Sequence, residues 1–166
     1  MDTQALQIQF GIIQYVIARN TADISHEESL IPPPAGGNSL NWLLGHIVKS
    51  RNEALVLMGR DPLFPPEKFA NYAGPGGENV SFEDLLQSFE QLQEPLVSGL
   101  GALDQDALNK PAPFSPTGNP NETIGSLLTA FAFHEAYHAG QTGVLRRLLG
   151  KGGALPSPDE AAAAAG

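Results

Sequence analysis

From Ile124 onward, apolar residues recur at alternating steps of three and four through Ile124, Leu127, Phe131, Leu145 and Leu148, and the same seam passes through His134, His138 and Gln141. A stripe of that period and length is the inward face of one long helix, and other helices must cover it. Its middle third is polar. Giving two adjacent core turns to imidazole forfeits apolar burial of roughly 1.5 to 3 kcal/mol per replaced side chain, a loss that calls for a use. His134 and His138 lie four residues apart, so their rings project from one helix face and can close on one divalent metal.

Three other segments carry helical periodicity. The first runs from about Thr3 to Asn20 with Leu6, Phe10, Ile13 and Ile17 inward. The second follows the turn Pro32-Pro33-Pro34-Ala35-Gly36-Gly37, is capped by Asn38 or Ser39, and ends near Gly59 with His46 in its first half. The third takes Ser81 as N-cap, has Glu83 and Asp84 in its first turn, and turns Phe82, Leu85, Phe89, Leu92, Leu96 and Leu103 inward. Pro95 is predicted to kink it. The fourth begins near Thr123 and stops at Gly150, with Arg146 and Arg147 complementing the dipole of its last turn. No segment shows the period-two, β-branched pattern of a strand, so the predicted fold is all-α.

Two connections, 60–80 and 104–122, are long for a bundle and rich in Pro and Gly, which suits either functional covers or disordered segments. The first holds Phe64, Phe69 and Tyr72, which argue that it packs on something. It is also long enough to run the length of a helix, so the second and third helices need not be antiparallel neighbours.

At 166 residues without cysteine, the chain suits one domain, residues 1–150, followed by a flexible surface tail, 151–166, that ends in an alanine run. The lack of cysteine excludes a cysteine nucleophile and every thiolate metal motif. Eighteen acidic residues against nine basic ones leave a net charge of -9, which disfavours nucleic acid as a partner. Met1-Asp2-Thr3-Gln4 opens with neither the basic start nor the apolar run of a signal peptide or membrane span. A soluble cytoplasmic protein with a small-molecule substrate and no membrane partner is the expectation.

His134-Glu135-Ala136-Tyr137-His138 spells H-E-x-x-H, the pattern in which two histidines bind zinc and a glutamate is the general base of a peptidase. The context argues against it. The Gly and His required by one peptidase branch would fall at Gln141 and Val144, and the downstream carboxylate of the other would have to be Asp159 or Glu160 in the tail. A ligand from another helix fits better, and His46 is the one remaining histidine within an amphipathic segment. His26, in the polar run His26-Glu27-Glu28, reads as solvated. Three neutral imidazoles leave a metal an open position, the mark of a reactive site.

Asn41-Trp42-Leu43-Leu44-Gly45-His46-Ile47, together with the run from His134 through Gly140, Gln141, Arg146 and Arg147 to Gly150, closely resembles the DinB-like (DinB/YfiT) metalloenzyme superfamily. The resemblance covers nearly the whole chain through helix count and order. It implies a four-helix bundle with a long crossover between helices 2 and 3, often dimeric, with the metal on one histidine of helix two and two of helix four, here His46, His134 and His138. Relatives include thiol S-transferases that use bacillithiol, mycothiol or glutathione and a mycothiol-dependent maleylpyruvate isomerase, and many members have no known reaction.

Among the neighbouring residues, Glu135 is a candidate general base or supporting residue, or a solvated helix residue, since it lies about 100° around the helix from His134. Gln141, one turn after His138, is placed to hydrogen-bond at the site or to satisfy a loop carbonyl. Glu53 lies two turns from His46, too far to share its ion. Tyr137 is expected between helices and Trp42 in the core. The function expected is a metal-dependent enzyme whose ion, nickel, zinc, iron or manganese, activates a low-molecular-weight thiol or water for transferase or hydrolase chemistry. An isolated arginine such as Arg60 would suit an anionic thiol. The alternatives are a bundle with a structural or vestigial metal that serves protein association, and, behind it, the H-E-x-x-H peptidase.

Overall fold

Ser39, Ser81 and Thr123 each turn a side-chain oxygen onto the backbone N–H three residues ahead, at Trp42, Asp84 and Ser126. Those caps begin α3 (Leu40–Leu57), α4 (Phe82–Ala102) and α6 (Ile124–Leu148), and Asp2 caps α1 (Thr3–Thr21) through the N–H of Gln4. Of the two expected caps of the second long helix, Ser39 is the one used. The computed structural model describes residues 2–74 and 80–156, and contains no strand among them. Two single-turn helices, α2 (His26–Ser29) and α5 (Gln105–Leu108), and a 3-10 helix, Pro66–Ala73, fill the connections.

Side-chain contacts define the direction of each long helix. Asn20 and Arg146 join the C-terminal parts of α1 and α6, so these two run parallel. Gln7 near the start of α1 bonds the carbonyl of Val97 late in α4, which makes that pair antiparallel. The connection after α3 runs back along it, with Phe64 beside Asn52, Tyr72 beside Gly45, and Val80 bonded to Asn41. α4 therefore starts at the end where α3 starts, and the two pack in parallel. The result is an up-down-down-up four-helix bundle with the expected crossover. Phe69 and Tyr72 are fully buried against α3, which accounts for the aromatic content of that connection.

Leu6, Phe10, Ile13 and Ile17 of α1 and Phe82, Leu85, Phe89, Leu92 and Leu96 of α4 are buried as their spacing requires. α4 continues through Pro95 without a break. The α6 seam departs from expectation at its end, where Leu148 is exposed. A 3,4 alternation has period 3.5, and a straight helix drifts about 20° per heptad from it, so the stripe rotates out of the core over the length of α6. Inside the bundle Arg51 of α3 joins all four long helices. It pairs with Glu135 of α6, donates to Gln14 of α1 and Gln93 of α4, and stacks its guanidinium 4.0 Å from the Phe89 ring.

The tail begins with a bound stretch: Lys151 pairs with Glu28 at 2.9 Å, and the carbonyls of Gly152 and Ala154 accept from Arg146 and Arg19. The alanine run, with Asp159 and Glu160, lies outside the described residues.

Candidate metal centre

His46 enters from the first half of α3, and His134 and His138 from successive turns of α6. Because α3 and α6 pack antiparallel, the two pieces of sequence, 88 positions apart, meet at one point. His134 Nε2 lies 3.0 Å from His46 Nε2 and 3.0 Å from His138 Nε2. These are the three residues among those described that bring metal-ligating atoms together.

The surroundings fix which nitrogens face the centre. The carbonyl oxygen of Tyr72 accepts from His46 Nδ1 at 2.7 Å, and Gln141 Oε1 accepts from His138 Nδ1 at 2.6 Å. An oxygen that can only accept requires a proton on each Nδ1, so both neutral rings present a bare Nε2 lone pair inward. Trp42 stacks on the His46 ring, centroids 4.7 Å apart and planes within 12°, and its indole N–H donates to the Gly74 carbonyl. Gly45 lets the Tyr72 ring lie directly against α3, because a Cβ there would fall 2.2 Å from that ring.

The lone pairs do not balance by themselves. His134 Nε2 as a neutral donor could serve one of its two neighbours, and an extra proton is disfavoured because burial, reinforced by His138 and His46, lowers the His134 pKa to about 4. Burial also lowers that of His138. A divalent cation held by the three nitrogens would resolve the arrangement at neutral pH. Nitrogens 3.0 Å apart are within reach of one ion at roughly the 2.0–2.1 Å of a zinc–imidazole bond, so the donor set fits a divalent metal. Pinning Nδ1 to an oxygen is also the usual outer support of a metal-binding histidine.

A cleft of about 220 Å³ opens on His46 and His134. Lys49 and Glu53, paired at 2.5 Å, line its α3 side, and Phe131 lines the α6 side. Phe114, from the connection between α5 and α6, supplies a wall. That connection is clamped at its base by reciprocal backbone bonds, Ala112 N–H to the Glu122 carbonyl and Ile124 N–H to the Lys110 carbonyl.

The structure brings Gln141 to the site and takes Glu135 elsewhere. Glu135 is 2% exposed, not solvated, and both its oxygens accept from Arg51. The glutamate of the H-E-x-x-H pattern thus points into the bundle, away from the three nitrogens. Glu53 lies outside the histidine group, as its spacing implied. Arg60 donates to the Pro95 carbonyl and Ser98 and does not line the cleft. Tyr137 is exposed, not held between helices, and its ring crosses that of His138 at 71° with centroids 5.4 Å apart. His26 is exposed as expected, yet its Nδ1 accepts from the Phe82 N–H at the start of α4.

Sequence reasoning missed Arg51 and the acceptor role of Tyr72. Arg51 had a legible signal, because it falls four residues after Ile47 and four before Leu55 on the inward face of α3. The Tyr72 carbonyl had none, since any residue could supply a backbone oxygen.

Residues 15–142, most of the chain, match the family model of the DinB superfamily. No curated protein matches the chain. No helix among the described residues is long and apolar enough to cross a membrane.

Proposed function

Because the chain belongs to the DinB superfamily, we propose that it is a metal-dependent enzyme in which His46, His134 and His138 hold a divalent ion and the adjoining cleft takes a small-molecule substrate. The convergence of three Nε2 atoms from two helices at the wall of an open cleft carries this reading. When bound, such an ion lowers the pKa of a thiol or water molecule and supplies a nucleophile at neutral pH.

The chain's own residues would do the rest. Tyr72 and Gln141 hold two imidazoles in the tautomer that presents Nε2, and Trp42 fixes the His46 ring plane. Phe114 and Phe131 offer apolar contact to the body of the substrate and exclude water from it. Lys49 and Glu53 can exchange their mutual ion pair for polar groups of a ligand. The reaction class supported is transfer to, or hydrolysis by, an activated thiol or water. Three imidazoles accept nickel, zinc, iron or manganese.

The test is metal content by elemental mass spectrometry on tag-free protein beside His46→Ala. Near-stoichiometric metal in the parent and little in the variant supports the triad, and a screen of thiol transfer and hydrolysis with Phe114→Ala then probes the cleft. Equal occupancy in both proteins, or no metal in either and no activity on adding it, would overturn the reading.

A further inference from the structure

Lys49 and Ser50 follow His46 by three and four residues and Glu53 follows it by seven, so all three extend one face of α3 away from the histidine. On α6, Phe131 and Ala130 precede His134 by three and four residues, and Leu127 precedes it by seven. Because the two helices run antiparallel, both rows leave the histidines in the same direction and form the two walls of the cleft. The walls differ in character. That of α3 is polar, whereas that of α6 is apolar and is extended by Phe114 and Pro116.

Among the described residues, Lys49 is the one basic side chain at the cleft. Its side chain is 23% exposed against 52% for Glu53, so the ammonium is the inner and the carboxylate the outer member of their pair. An i,i+4 pair on a helix surface is weak, and a ligand anion can replace Glu53 there at little cost. Ser50, itself buried, reaches the cleft and adds a hydroxyl to the same wall. In a chain of net charge -9, a half-sheltered cation beside an apolar wall selects for a negative group on an apolar molecule.

We propose that the cleft takes a small monocarboxylic acid with an apolar body, its carboxylate on Lys49 and Ser50 and its apolar flank on Phe131 and Phe114. This rests on the reading of the cleft as the substrate site and adds the charge and shape of the substrate. The Lys49 ammonium, held toward Glu53, lies one to two helical turns beyond His46, which puts the carboxylate roughly 5–10 Å from the histidine end. A volume of about 220 Å³ is below that of a pocket for a drug-sized ligand and fits a small molecule. Glu53 sets the charge limit. A single carboxylate compensates Lys49, whereas a phosphate dianion would face the Glu53 carboxylate across the same ammonium.

Three probes of one shape and different charge test this: hydrocinnamate, its neutral amide and phenylpropylamine, titrated by ligand-observed NMR into the full chain as purified. Hydrocinnamate should bind about tenfold more tightly than the amide, and the amine most weakly. Lys49→Met should bring hydrocinnamate down to the amide without moving the amide, and Lys49→Arg should keep the preference. Glu53→Gln should tighten hydrocinnamate about threefold by freeing the ammonium, and Phe131→Ala should weaken acid and amide alike. Equal binding of acid and amide, a preference that survives Lys49→Met, tightest binding of the amine, or no binding of any probe at millimolar concentration would each overturn the proposal. Metal analysis of the same samples keeps the two readings apart. Loss of the charge preference with metal in place sinks the carboxylate site alone, and a preference that persists in protein unable to hold metal leaves that site standing while the metal-dependent reading falls.

Discussion

Arg51 Nη2 and Glu135 Oε1 lie 2.5 Å apart in the middle of the bundle, with side chains 0% and 3% exposed. The carboxylate lies in sequence next to His134, yet its partner is this arginine, which also reaches Gln14, Gln93 and the Phe89 carbonyl. A buried charge is tolerable only when paired and hydrogen-bonded, and here each nitrogen of the guanidinium has an acceptor.

Removing one half of that pair strands the other. Glu135→Ala should destabilise the fold by about 3–5 kcal/mol, and the joint replacement Arg51→Met, Glu135→Leu should recover most of the loss. Urea unfolding of the metal-free proteins reads both. A Glu135→Ala variant as stable as the parent would show that the pair contributes nothing.

Gln141→Leu removes the acceptor that fixes His138 Nδ1–H. Metal affinity should fall by about 10- to 100-fold with little change in metal-free stability, since orienting partners of ligating histidines have effects of that size. Competition with a chromogenic chelator measures it, and an unchanged affinity would remove Gln141 from the support of the centre.

Acid should weaken the metal-free fold in a defined window. The unfolded chain protonates His134 near its ordinary value of 6.5, while the folded chain resists until about 4. Below 6.5 the unfolded state therefore binds more protons, and stability falls as pH drops from 6.5 toward 4 before this contribution levels off. His138, lowered in the same direction, adds to the slope. Urea midpoints at pH 7, 5 and 4 should decrease in that order, and an NMR titration should show the His134 ring protonating near 4.

Gly45→Ala should act on the centre without touching a ligand. The new Cβ would meet the buried Tyr72 ring at 2.2 Å, displacing the carbonyl that holds His46. Overpacking of this kind costs about 1–3 kcal/mol. Metal affinity should drop alongside the melting temperature, whereas Gly11→Ala, where a Cβ meets nothing, should leave affinity unchanged.

The all-α class, the four long helices and the Ser81 cap, with Ser39 as one of two candidates for another, were legible because each rests on local rules: a 3.6-residue period, a serine oxygen at the first turn, and glycine or proline between segments. The histidine group was legible for a related reason, since His134 and His138 interrupt an apolar seam and His46 is the one remaining histidine within an amphipathic segment. The residues around it were harder. Glu135 sits at a helix position whose burial depends on where α3 places Arg51. Tyr137 sits on a stripe whose exposure depends on which helix lies beside α6.

The sequence by itself therefore determined the four long helices, their order and the residue types able to bind a metal, because these follow from periodicity and side-chain chemistry within short windows. Tertiary structure alone decided that α3 and α6 run antiparallel and bring three Nε2 atoms to one point, that the Tyr72 carbonyl and Gln141 set the tautomers, and that Arg51 draws Glu135 away from the centre. Those outcomes depend on distances between residues tens of positions apart, which only the packed bundle defines.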